Sequence, residues 1–237
     1  MLRLLHSRTL LLLVLLLASA QGWGQNSYGT LGSTYSQNFD GLNNSGPQSV
    51  TGGNLNNLNT SLNGWYFVET GTGPNTTITS GTGSSGTGDT YSFGATSSTD
   101  RALGGVQSGA VIPVIGYWFT NNTGSTISSL QIAYTGEQWR LGATARVDRI
   151  EFQYSTNATT LSNGTWTSVT ALNFTAPTTT GTVGALDGNA TANRASVSST
   201  ITGLSIANGT SFFIRWNDLN ATGSDDGLGV DDLSLIG

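Results

Sequence analysis

The chain has 237 residues, with 8 Arg, no Lys, 13 acidic residues, no Cys and a single His. His6 and two of the arginines, Arg3 and Arg8, fall in the first twenty residues, so the rest carries six Arg against 13 acids, a net charge of −7, and no His, Cys or Lys. These counts exclude Ser-His-Asp and Cys-His nucleophile systems, zinc sites built from His and Cys, and Schiff-base chemistry, and they disfavour a nucleic-acid partner, whose phosphates need clustered Lys and Arg.

Residues 1–20 read as a signal peptide. Arg3 and Arg8 supply a positive start, Leu10 to Leu17 is an unbroken apolar run, and Ala18-Ser19-Ala20 is a small-x-small cleavage site. The apolar run is too short to span a bilayer, which takes about 20 residues. Cleavage is expected after Ala20, or failing that after Gly24, so the mature chain is secreted and lacks a membrane span. Residues 21–237 read as a single domain.

Two stretches in the first half, 43–63 and 70–90, are rich in Gly, Ser, Thr and Asn and read as surface loops. They flank Trp65-Tyr66-Phe67, and the second leads to Tyr91-Ser92-Phe93. Beyond them, alternation at period two dominates. Ile115, Tyr117 and Phe119 share one parity. So do Leu130, Ile132 and Tyr134, then Ile150, Phe152 and Tyr154, then a weaker set at Ala195, Val197, Ser199 and Ile201. In the next strand Phe212, Ile214 and Trp216 alternate with Phe213, Arg215 and Asn217. Such alternation marks half-buried antiparallel strands. Asn121 to Ser125, Asn163-Gly164 and Asn208-Gly209 supply turns, read as hairpin closures because Asn-Gly tolerates positive φ. No window has helical spacing. The expected fold is all-β: an antiparallel two-sheet β-sandwich, or jelly roll.

Only carboxylates and Tyr remain as acid–base groups. The densest acidic run is Asp218, Asp225, Asp226, Asp231 and Asp232, five carboxylates within fifteen residues. Asp218-x-Asn220-x-Thr222-Gly223 matches the opening half of a calcium loop, with oxygen ligands at alternate positions and a turn glycine, but its twelfth position is Gly229 rather than Glu. The apolar parity also switches here. Leu228 and Val230 share one parity, and Leu233 and Leu235 the other, which predicts a β-bulge at Asp231-Asp232 and turns Asp231 toward the core. Three readings stand: structural calcium, a solvated acidic loop, and a catalytic carboxylate, of which calcium is favoured.

The second candidate is Glu137-Gln138-Trp139-Arg140. As a sugar-binding platform, Trp139 would stack on a ring while Glu137, Gln138 and Arg140 bond its hydroxyls. In the plainer reading, which is preferred, Trp139 plugs the edge of the sandwich and Glu137 pairs with Arg140 or Arg101. Glu137 with Glu151 or Asp187 is the one conceivable catalytic carboxylate pair, and their spacing does not support it. Arg140, Arg146 and Arg149 read as a cross-strand set of solvated or paired charges.

The stretches NFDGL (38–42), STDRALGG (98–105), the run 117–140 ending in TGEQWR, EFQYST (151–156), ALDGNATANR (185–194) and FIRWNDLNATGSDDGLGVDDLSL (213–235) carry a resemblance. Together they resemble a domain family of secreted and surface-sorted bacterial proteins of the Bacteroidetes type. That family is similar to concanavalin-like and carbohydrate-binding sandwiches, and its members usually lack an assigned activity. The resemblance implies a jelly roll holding a structural calcium between its first and last strands, and it adds Asp40 as a possible ligand. The expectation is a secreted, non-catalytic module for adhesion or glycan binding at the cell surface, stabilised by calcium, with a polysaccharide or another surface component as partner. The alternatives are a structural component of the surface or matrix, and a carboxylate-dependent glycan-active enzyme.

Overall fold

A computed structural model describes residues 26–237, so the signal peptide and its cleavage site lie outside the described residues. Sixteen strands follow in chain order: β1 Asn26–Tyr28, β2 Thr34–Gln37, β3 Pro47–Ser49, β4 Trp65–Gly71, β5 Thr77–Gly81, β6 Asp89–Phe93, β7 Ala102–Val106 and β8 Val111–Asn121. Then come β9 Ile127–Leu141, β10 Arg149–Ser155, β11 Thr167–Ser168, β12 Phe174–Thr175, β13 Gly184–Ala185, β14 Arg194–Ile206, β15 Ser211–Asp218 and β16 Gly227–Ile236. Five single-turn 3-10 segments are the helical content of the described residues, so none of their helices is long and apolar enough to cross a membrane.

The strands form two facing sheets, as the alternation predicts. In the first, β1 and β4 lie against β8, followed by β15, β10 and then β11 and β12. In the second, β13 and β14 lie against β9, followed by β16, then β2 and β7, and outward through β6 and β5 to β3. The sheets are not wholly antiparallel: β1 runs parallel to β8, and β5 to β6. The core lies between them. Trp65 and Trp216 stack at 5.9 Å, and Phe39, Tyr134 and Phe152 meet them edge-on. Burying rings of this size is the main favourable term for a domain without disulfides.

Two sequence readings need correction. The stretches 43–63 and 70–90 are not plain loops. They contain β3, β5 and three 3-10 turns, and they send Val50, Leu55, Leu62 and Ile78 into the core. Isolated apolar residues in a polar stretch anchor it without leaving a periodic signature. The second correction concerns the turns. Asn121 to Ser125 and Asn208-Gly209 do not close hairpins. Each carries the chain from one sheet to the other, β8 to β9 and β14 to β15. Gly124 and Gly209 do take positive φ, 78° and 80°. The two arches lie side by side, because buried Asn121 accepts the Gly209 N–H on its carbonyl and donates its Nδ2 to Ile206 O.

Candidate functional site: an aromatic groove beside two acidic clusters

Three aromatic doublets break the alternation in the first sheet. Trp65, Tyr117 and Phe212 point inward, so period two sends Tyr66, Trp118 and Phe213 to the outer face. Phe213 lies opposite Trp118 across the β15–β8 ladder, and their rings stack at 5.0 Å. Tyr66 sits 6.1 Å from Trp118 on the other side. Gly116, opposite both Tyr66 and Arg215, carries no side chain, and Leu161 descends into that space: a Cβ there would stand 2.5 Å from Leu161 Cδ2. Arg215 fixes this arrangement by donating to Leu161 O and lying 3.7 Å over the ring of Trp166.

Tyr66, Trp118 and Phe213 line a groove of about 530 Å³ together with Thr159 to Ser162, Gly52, Gly53 and Pro74 to Thr76. That size is typical of small-molecule sites. The Asn75 rim is pinned from below: Glu69 Oε2 accepts its backbone N–H at 2.9 Å, and Asp89 Oδ1 accepts its Nδ2 at 3.0 Å. Burial raises the Glu69 pKa. The hydroxyl of Tyr66 and the indole N–H of Trp118 are both buried, and no protein acceptor meets either one. Buried donors are nearly always paired, but the core Trp216 indole N–H is unpaired as well, so what sets the groove apart is its run of partly exposed aromatic faces.

Glu137, Gln138 and Trp139 are internal rather than a platform, and Arg140 is partly exposed. The Trp139 indole is sandwiched, with Phe93 parallel to it at 6.2 Å and Gly188 against it, where an added Cβ would come within 2.4 Å of Nε1. Glu137 Oε2 accepts the Trp139 N–H at 2.9 Å, and burial pushes its pKa up to about 7. The expected pairing of Glu137 with Arg140 or Arg101 is replaced by this bond. Arg140 donates to Gly83 O and Ser84 O, and Arg101 to Ser92. Gln138 is fully buried, bonding Thr178 through both ends of its amide and donating to Asp226 Oδ2 at 2.8 Å. Glu151 pairs with Arg149 at 2.7 Å and Asp187 caps the Asn189 N–H, so neither is joined to Glu137 as a catalytic partner.

The acidic candidates divide into two groups. Asp231 and Asp232 share a field with Glu137 and Asp100, and Asp40 stands near Asp100 and Asp232. The bulge is present: the β16–β9 register shifts between Asp231 and Ser234, and Asp232 takes φ 49°. Asp231 is turned inward and 4% exposed, whereas Asp232 and Asp40 face solvent. Burial first, then the neighbouring acids, push the Asp231 pKa up to about 8.

The second group is Asp218, Asp225, Asp226 and a residue the sequence did not single out, Asp148. Arg146 lies between two of them, 2.8 Å from Asp148 and 3.1 Å from Asp226. Asp226 also accepts the Gly142 N–H, and Asp225 the Ala221 N–H, while burial raises both carboxyls to about 6. Asn220 is exposed. Asp218 differs from the rest. It is buried beside Asp148 and Asp225, both of its oxygens lack a hydrogen bond, and burial drives its pKa well up. The amides of Gln107 and Leu219 point toward it without closing a bond, and the Leu219 N–H goes instead to Arg149 O.

Calcium takes 6–8 oxygens, and among the described residues no group of three or more acidic side chains converges in a way that could hold a metal ion. In the second group Arg146 already supplies the positive charge between Asp148 and Asp226. Asp218 is the acid whose two oxygens are both buried and unpaired.

No protein-family model matches the chain, and no curated protein sequence matches it. Solved structures similar to it include the CBM22-1 xylan-binding domain of Xyn10C from Paenibacillus barcinonensis, at 9% identity and TM-score 0.39, covering 88% of this chain and 96% of that one. The K1 cleaved adhesin domain of Lys-gingipain from Porphyromonas gingivalis is similar at 13% identity and TM-score 0.36, covering 86% and 98%. A family 35 carbohydrate-binding module from Clostridium thermocellum is similar at 16% identity and TM-score 0.30, covering 63% and 85%.

Proposed function

We propose that this chain is a secreted, non-catalytic module that binds a glycan in the groove lined by Tyr66, Trp118 and Phe213. The observation that carries the reading is the stacked Trp118–Phe213 pair with Tyr66 beside it, lining a groove of about 530 Å³. Sugar rings present apolar C–H faces that lie on aromatic rings, and hydroxyl and ether oxygens that accept from O–H and N–H groups. The one charged side chain that lines the groove, Glu69, is buried and already accepts from Asn75 and Thr90. An uncharged polysaccharide therefore suits the groove better than an acidic one. Catalysis finds no support in the groove, which contains one engaged carboxylate and no opposing partner.

Retention on insoluble and soluble polysaccharides, followed by a glycan array, tests this. Trp118→Ala should abolish retention while circular dichroism stays that of the native chain. Binding that survives Trp118→Ala would move the site elsewhere, and no binding to any glycan would leave the groove without this role.

Calcium enters this reading at one residue. A cation on the unpaired Asp218 oxygens would relieve the cost of burying that carboxylate, and its neighbours Asp148 and Asp225 would strengthen the attraction.

A further inference from the structure

Sheet edges invite pairing with another strand, and most edges in this fold are closed to it. β1, β3, β11, β12 and β13 are two or three residues long, and β3 begins with Pro47. β4 is longer, but the 51–57 segment covers it: Asn54 forms a bridge to Tyr66, and a Cβ on Gly53 would meet Phe67 O at 2.1 Å. β14 is different. It is 13 residues long and pairs with β9 along one side only. Among the described residues, no hydrogen bond joins Ala195 to Ser205 to any element other than β9. From Ala195 to Ile206 the strand has no charge and no proline, the two common guards of an open edge.

Its sequence is also self-complementary. Ser196-Val197-Ser198-Ser199-Thr200-Ile201-Thr202 reads as hydroxyl, β-branched, hydroxyl, Ser, hydroxyl, β-branched, hydroxyl in both directions. Ser196, Ser198, Thr200 and Thr202 are exposed, while Val197, Ser199 and Ile201 turn toward the core side. We propose that two copies of this chain associate through β14, antiparallel, about a two-fold axis at Ser199. That register sets Val197 opposite Ile201, Ser198 opposite Thr200 and Ser196 opposite Thr202. These are β-branched and hydroxyl cross-strand pairs of the kind that stabilise sheets, and they fall within the regular stretch of β14, which ends at Thr202. The second sheet then runs continuously through both copies. An isologous contact of this kind closes on itself as a dimer, and the groove, on the other sheet, stays open in each copy.

Sedimentation of the mature chain from micromolar to millimolar concentration should show the mass doubling. Ser198→Lys with Thr200→Lys sets like charges directly opposite each other, and should give a monomer with native circular dichroism and melting. Ser198→Glu with Thr200→Glu should do the same, and an equimolar mixture of the two should recover the dimer as a heterodimer. The register is read with cysteines, of which the chain has none. Directly opposed residues have Cα atoms about 4.5–5.5 Å apart, within disulfide range. Ser199→Cys should therefore form a covalent dimer on mild oxidation, and Thr202→Cys, which faces Ser196, should not. A native chain that stays monomeric at millimolar concentration, a lysine variant that still dimerises, or cross-linking of Thr202→Cys as fast as Ser199→Cys would each overturn the proposal.

Discussion

Asp231→Asn should make the protein more stable. Asp231 is 4% exposed, and its carboxyl is raised from 3.8 to about 8 by burial and by Asp232, Glu137 and Asp100. A raised carboxyl keeps its proton in the folded state and loses it on unfolding. Its contribution to stability is therefore whole below pH 3.8 and declines as pH rises toward about 8. At about 1.36 kcal/mol per pH unit, holding that proton costs up to about 4 kcal/mol at pH 7. The Asn amide is itself buried there, with an NH2 in place of the acid's O–H, so about half of this, roughly 2 kcal/mol, is the expected gain for the neutral isostere. Asn keeps the Oδ1 that accepts the Asp232 N–H at 2.7 Å. For a domain of this size, 2 kcal/mol raises the melting temperature by about 4–8 °C. Melting curves of both proteins in chelator at pH 4, 6 and 8 should coincide at pH 4 and diverge as the pH rises. If Asp231→Asn melts below the native chain at pH 8, Asp231 is held as a charged, partnered group and the reasoning fails.

Trp139→Ala should cost about 3–5 kcal/mol, the usual range for emptying a buried aromatic site, and leave retention of any bound polysaccharide unchanged; a stable variant that no longer binds would return Trp139 to the binding surface. Arg146→Met should cost about 3–5 kcal/mol by leaving Asp148 and Asp226 buried without their cation. That loss should shrink on acidification, since protonation removes the uncompensated charge; denaturant titrations at pH 5 and pH 8 compare the two. Chelator should lower the native melting temperature and calcium restore it, by an amount approaching 2.7 kcal/mol at a hundredfold excess over Kd. Asp218→Asn should abolish that response, and a native curve that chelator does not move removes calcium from Asp218.

Much of the architecture could be read from local pattern. Ile150, Phe152 and Tyr154, or Leu130, Ile132 and Tyr134, fix a strand and its buried side because side chains alternate whatever the strand pairs with. The parity switch between Val230 and Leu233 located the bulge for the same reason, and with it the inward turn of Asp231. What the pattern lacks is any record of neighbours. The arches at Asn121 to Ser125 and Asn208-Gly209 look like hairpin turns because positive φ is a local property, whereas the sheet a strand joins depends on backbone partners far away in the chain. Asp218 and Asp231 are close in sequence, yet folding sets Asp218 beside Asp148 and Asp231 beside Glu137 and Asp100. The groove had a sequence signal that strict alternation obscured: Trp65-Tyr66, Tyr117-Trp118 and Phe212-Phe213 each spend one ring on the core and have a second left over. Only strand order, which lays β4, β8 and β15 side by side, decides that the three surplus rings meet on one outer face.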